Sequence, residues 1–199
     1  ANRKLQIQNS IIMKDHKGMR PQDIVVLLAI VAVQRAGWDR KGLRVIHRLP
    51  FPLNKEIAEL LRISTAEISA SLYRSAYAGL IADISYSKQV FLQSLLEFLK
   101  SGLKYVFPVQ PGAIVRGIPT AHSADPLKSQ LSFQEEIVWE HADGNVRGQA
   151  ILPLYSTVPE IVTKNKLLYE LLALTDSLRI GGARERELAI IELEKRFFQ

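Results

Sequence analysis

Within the stretch IAELLRISTAEISASLYRSAYAGLI, residues 57–81, hydroxyl and guanidinium groups recur at helical spacing. Ser64-Thr65-Ala66-Glu67 is a capping-box pattern: the Ser64 hydroxyl accepts from the Glu67 N–H while the Glu67 side chain reaches back to Ser64. With Ser64 as cap, helical spacing turns Ile68, Leu72, Ser75 and Ala76 inward. The outward face carries Thr65, Ala66, Ser69, Ala70, Tyr73 and Arg74. That face is small and hydroxylic near the helix start and long and basic one turn later. Small residues let a helix end sink into a DNA major groove. Hydroxyls then donate to phosphates or base edges, and an arginine grips guanine or backbone. The helix N-terminus adds partial positive charge aimed at phosphate.

Elements on both sides must position this face. Pro21 suits the first turn of a helix, and PQDIVVLLAIVAVQRAG reads as one that Gly37 ends. It is apolar on nearly every side, so it belongs at the centre of a domain. Residues 38–53 form a basic connection in which Leu43, Val45 and Leu49 alternate as in a short strand. Asn54 is a good N-cap for a helix over about 55–62, with Ile57, Ala58 and Leu61 inward. The Ser64-capped helix runs to about Ala78, and Gly79 supplies the left-handed residue that ends it. Ile81–Tyr86 alternates like one strand, and helical spacing resumes over Gln89–Lys104.

These residues resemble the winged helix-turn-helix of bacterial transcription regulators, particularly the MarR-like families. The resemblance is carried by Ile57-Ala58, Leu61-Arg62-Ile63-Ser64, Ile68-Ser69 and Ala78-Gly79-Leu80-Ile81. It covers about 30 residues directly, and about 80 with the preceding elements included. It implies that helix 65–78 is a recognition helix with Ser69 on its DNA face. Two departures stand out. Arg62 occupies the usual glycine position of the turn, where a positive φ is uncommon for arginine. Past Ile81 the wing hairpin is shortened or missing. Phosphate contacts are then expected from Lys55, Arg62 and Ser64, with Arg40, Lys41, Arg44 and Arg48 of the basic connection standing in for a wing.

Charge points the same way. Of the net +6, residues 1–100 hold +7 and residues 101–199 hold −1. A basic module joined to a neutral partner half has this asymmetry. There are no cysteines, so disulfides, Cys-based zinc sites and a Cys nucleophile are excluded, in keeping with a cytoplasmic chain. The longest apolar run, Ile24–Val33, is too short to span a bilayer. The opening ANRKLQIQNSIIMKDHK lacks the continuous apolar segment of a signal peptide.

Catalytic patterns fail on inspection. Arg116 and His122 have the arginine-to-histidine spacing of HEPN ribonucleases, but that motif needs a helix, and Gly117 and Pro119 stand between them. His122, Ser123 and Asp125 are neighbours in one loop, without a nucleophile elbow. The four histidines have no metal-ligand spacing, and no phosphate-binding glycine loop occurs. No cofactor or metal is expected.

The second half begins with a proline-rich loop at 107–126, too rich in proline and glycine for a central strand. Its Arg116, Thr120, His122 and Ser123 are candidates for reading an effector or partner; the alternative is that the loop wraps the core. Residues 137–141 and 146–152 flank Ala-Asp-Gly-Asn as a hairpin. LLYELLALTDSLRI and ARERELAIIELEKRFF form an antiparallel helical pair joined by Gly181-Gly182. Leu188, Ile191 and Phe197, with Ile190 and Phe198 beside them, suffice for packing within one chain or for a symmetric dimer.

The sequence therefore predicts a mainly α (α+β) chain. A winged-helix-like DNA-binding domain spans 13–86, and a mixed, largely helical dimerisation and partner domain spans 87–199. The expected role is a homodimeric, duplex-DNA-binding repressor. The rivals are the DNA-binding antitoxin of a toxin–antitoxin pair and a scaffold that docks proteins on the winged fold.

Overall fold

The computed structural model describes residues 18–36, 52–85 and 87–199. The basic connection, with Arg40, Lys41, Arg44, Arg48 and its expected strand, lies outside these residues. Helix α1 (Pro21–Ala36) takes its proline at the first turn and stops one residue before Gly37. Ile24 through Ala32 are all buried, so the helix is covered on every side, as its all-round apolar character requires. Helices α2 (Asn54–Leu61) and α3 (Thr65–Tyr77) pack against it and against each other.

Asn54 is not the N-cap of α2. It sits inside the first turn and donates to the Ser69 hydroxyl at 3.2 Å, while the Leu53 N–H is taken up by the Glu56 carboxylate at 2.9 Å. Arg62 closes α2 in the left-handed conformation, φ 53°, with its N–H on the Ala58 carbonyl. The chain accepts there a backbone state that glycine adopts at less cost. Gly79 ends α3 at φ 72°, as expected.

Strand β1 (Ile81–Ala82) pairs antiparallel with β2 (Gln89–Val90), matching Ile81 with Val90. A hairpin is thus present, reduced to two residues a side. The expected single strand over 81–86 is too long, and the helix expected from Gln89 starts later. Helix α4 (Leu92–Glu97) leads through a π-helical turn at Phe98–Gly102 into α5 (Leu103–Val106).

The proline-rich segment contains a strand after all. Strand β3 (Ile114–Pro119) pairs through its first half with β5 (Val146–Ala150) and through its second half with β4 (Ile137–Glu140). Pro119 can sit there because it lies at the strand's end, and Thr120 resumes the ladder by donating to the Ile137 carbonyl. The segments at 137–140 and 146–150 are strands, but they are parallel and form no hairpin. They follow one another along β3 in the same direction, and the sheet curls until Ile137 meets Gln149, closing a three-stranded ring.

Closure leaves no room for side chains at the crossing. A Cβ on Gly117 would lie 2.1 Å from the Trp139 carbonyl oxygen, and one on Gly144 would lie 2.3 Å from Gly117. Trp139 fills the space beneath, fully buried.

A short helix α6 (Val158–Ile161) precedes the terminal pair α7 (Lys166–Ile180) and α8 (Ala183–Phe198), which pack together as expected. Helix α7 also packs against α1, and Arg35 of α1 donates to the Phe197 carbonyl at the end of α8. Buried side chains from both halves form one continuous core, with no break near residue 86. The protein is mainly helical, of the α+β class. No helix among the described residues is long and apolar enough to cross a membrane.

Candidate nucleic-acid interface

The cap of α3 forms half as expected. The Ser64 hydroxyl accepts from the Glu67 N–H at 3.2 Å. Glu67 does not reach back to Ser64; its carboxylate takes hydrogen bonds from Gln22, Arg20 and Arg74. The cause is a nearby concentration of donors at the start of α1, which outcompetes a single exposed N–H.

Arg74 overturns its expected outward position. Its guanidinium binds Asp23 through two hydrogen bonds of 2.8 and 2.6 Å and reaches Glu67 at 2.8 Å. The Arg74 side chain is 11% exposed and that of Asp23 is 0% exposed. Hydrogen bonding to Asp23 raises the Arg74 pKa above its ordinary value, against an opposing effect of burial. Asp23 also accepts from the Arg20 N–H at 2.8 Å, so one buried carboxylate fixes both the start of α1 and the middle of α3. A long side chain goes where a buried charge needs it, and a helical wheel does not contain that information.

The rest of the outward face stands. Thr65, Ala66 and Tyr73 are exposed, and Ser69 and Ala70 are half-buried. The Ser69 hydroxyl donates to the Thr65 carbonyl at 3.0 Å. Tyr77, one turn past Tyr73 and 48% exposed, extends the face and was missed; the spacing Ser69-Tyr73-Tyr77 was the available signal. On the inward side the Ser71 and Ser75 hydroxyls are buried without a hydrogen-bond partner among the described residues.

Among the expected phosphate contacts, Lys55 is exposed and pairs with Glu59 at 3.8 Å. Arg62 forms an ion pair with Glu160 of α6, and beside it Thr157 donates to the Leu61 carbonyl at 2.8 Å. The corner between α2 and α3 is thereby tethered to the second half of the chain. A cleft of about 790 Å³ opens at this tether, with Arg62, Glu160, Lys128, His141 and Tyr169 on its walls. Burial, with the charge of Asp125, pushes the Tyr169 hydroxyl up to about 12, and it donates to the Pro119 carbonyl at 2.6 Å.

Near the hairpin, Lys88 is almost fully buried, and burial lowers its pKa. Most of the positive excess lies elsewhere: residues 1–17 and 37–51 carry eight Lys/Arg against two Asp/Glu.

The candidate effector loop does not converge. Thr120 is buried and donates to Asp176 at 3.1 Å, and the buried Ser123 hydroxyl accepts from the Ile137 N–H at 2.8 Å. His122 packs on Phe133, ring centroids 4.9 Å apart. Only Arg116 is exposed. Asp176 is the hub that sequence reasoning missed: it also accepts from Trp139 Nε1 and from Arg179, both at 2.7 Å. Burial raises its pKa, and Arg179, Trp139 and Thr120 work against that rise. Arg179 in turn donates to the Phe107 and Leu152 carbonyls. Thr120, Trp139, Asp176 and Arg179 hold the ring on α7.

No protein-family model, curated protein or solved structure matches this chain.

Proposed function

We propose that this protein is a sequence-specific, duplex-DNA-binding transcriptional regulator, a homodimeric cytoplasmic repressor that uses a winged helix-turn-helix with α3 as recognition helix. One observation carries the reading. The exposed face of α3 holds Thr65, Ala66, Ser69, Ala70 and Tyr73, while its only arginine is spent internally on fixing the helix. A helix held this firmly presents a smooth face on which the hydroxyl residues Thr65 and Tyr73 are exposed. The short β1–β2 hairpin follows it in the place of a wing, and the basic segments 1–17 and 37–51 supply charge for phosphate contacts. Base discrimination accordingly rests on hydroxyls and aromatic edges, not on an arginine.

The test is selection of bound fragments from genomic DNA, followed by titration at rising salt. Binding is expected to fall steeply with salt as counterions are released. Thr65→Glu puts a carboxylate at the exposed helix start, where the helix dipole favours it. It is expected to leave the fold intact and to weaken duplex binding at least tenfold. Undetectable binding at low salt on random and genomic fragments would sink the reading.

A second reading is favoured by the exposed aromatic pair Tyr73 and Tyr77, 46% and 48% exposed. Such residues anchor protein interfaces. The face then docks a partner protein, as a scaffold that does not bind DNA does; the chain then shows no duplex binding, and Tyr73→Ala abolishes the protein complex.

A further inference from the structure

In the three-stranded ring, Arg116 of β3 stands directly opposite Arg147 of β5. Both are exposed, and neither has an ion-pair or hydrogen-bond partner for its side chain among the described residues. Other arginines of the described chain are engaged, among them Arg62 with Glu160, Arg74 with Asp23, Arg179 with Asp176 and Arg196 with Glu170. Arg184 is exposed and unpaired among the described residues like these two, but stands alone on a helix. Like charges opposite each other on a sheet repel and weaken it. A chain able to satisfy so many arginines elsewhere therefore keeps two unsatisfied ones side by side.

Two guanidiniums across one register pair form a double fork for oxyanions, each offering parallel N–H donors. Residues two apart on a strand share a face, so Ile114 lies beside Arg116, and its register partner Gln149 lies beside Arg147. Ile114 is 59% exposed. The row thus combines a doublet of positive charge with an apolar residue and an amide.

We propose that the Arg116–Arg147 pair is a docking site for an acidic segment of a partner protein, its carboxylates held by the two arginines and a neighbouring apolar side chain resting on Ile114. Charge complementarity selects this occupant. A phosphodiester chain needs a continuous basic track. Strands β3, β4 and β5 carry no Lys or Arg besides these two, and Lys128 ahead of β4 is taken up by Glu136. Isolated carboxylates fit an isolated doublet. This inference does not depend on DNA binding by α3.

The probe is a fluorescently labelled peptide of alternating glutamate and valine, titrated with the full chain at low salt, with a lysine–valine peptide as control. The acidic peptide is expected to bind, and the R116Q/R147Q double variant to lose at least tenfold in affinity. Duplex binding by the same variant should be unchanged, which separates this site from α3. A second readout guards against a structural role: removing the like-charge pair is expected to raise Tm by about 1–2 °C. The proposal is overturned if the double variant binds the acidic peptide as well as the parent chain, if the lysine peptide binds equally, or if Tm falls. Displacement of the bound peptide by duplex DNA from the Thr65→Glu chain would make the doublet a phosphate site instead.

Discussion

Two buried ion pairs, one in each half, hold different kinds of architecture. Asp23–Arg74 joins two helices whose partners are already aligned by their own periodicity. Asp176–Arg179 joins α7 to a strand, a buried tryptophan and two loops that no local rule brings together. In the first case the pair refines a helix packing. In the second, Asp176 accepts from Thr120 and Trp139 while Arg179 donates to the Phe107 and Leu152 carbonyls. Four separate segments meet at the pair, and the ring depends on it. The same contrast appears in the glycines. Gly79 is needed for its positive φ alone, with nothing within 4 Å of an added Cβ, whereas Gly117 is needed because Trp139's backbone occupies the space.

Removing one partner from a buried pair leaves the other charge uncompensated, so Arg74→Ala is expected to destabilise by about 3–5 kcal/mol. The D23N/R74M double variant should recover most of that loss in chemical denaturation. Recovery would show a locally replaceable contact; failure to recover would place Arg74 on a par with the Asp176 hub. Gly117→Ala should cost about 3 kcal/mol or more through backbone overlap, while Gly79→Ala should cost only about 1 kcal/mol for its left-handed backbone. Equal losses would erase the distinction between conformational and steric glycines.

Smaller effects sharpen it. Arg62→Gly relieves an arginine held at φ 53° and removes an exposed ion pair with Glu160, two terms of about 1 kcal/mol each and opposite sign. Stability is expected to stay within about 0.5 kcal/mol, while hydrogen exchange at the α2–α3 corner rises as the tether to α6 is lost. Glu192 gives the smallest effect. Burial would raise its pKa, but hydrogen bonds from Lys195 and Arg196 outweigh this and hold it below its ordinary 4.5. A depressed folded pKa stabilises above the unfolded value and is lost as pH falls through the folded one. Thermal melts should therefore show Glu192→Gln losing stability at neutral pH and converging with the parent chain as pH falls through the lowered Glu192 pKa.

What was legible follows from how far each signal reaches along the chain. Helices α1, α2, α3, α7 and α8 were read to within a residue or two, because Pro21, Ser64, Gly79 and Gly181-Gly182 act on their immediate neighbours. The hydroxylic face of α3 was legible for the same reason. Arg74 was not, since its direction depends on Asp23, 51 residues away. Nor was the like-charge pair at Arg116 and Arg147, whose register rests on pairings across 31 residues and on three glycines acting as spacers.

The sequence alone determined five of the helices, the Ser64 cap and Gly79 stop of α3, its inward face and the charge asymmetry between the halves, because each is a local or additive property. Tertiary structure alone decided that 114–119 is a strand, that β4 and β5 are parallel, and which arginines are consumed internally and which stay free. Strand pairing and charge compensation are settled by which distant groups meet when the core closes, and neither spacing nor propensity specifies that meeting.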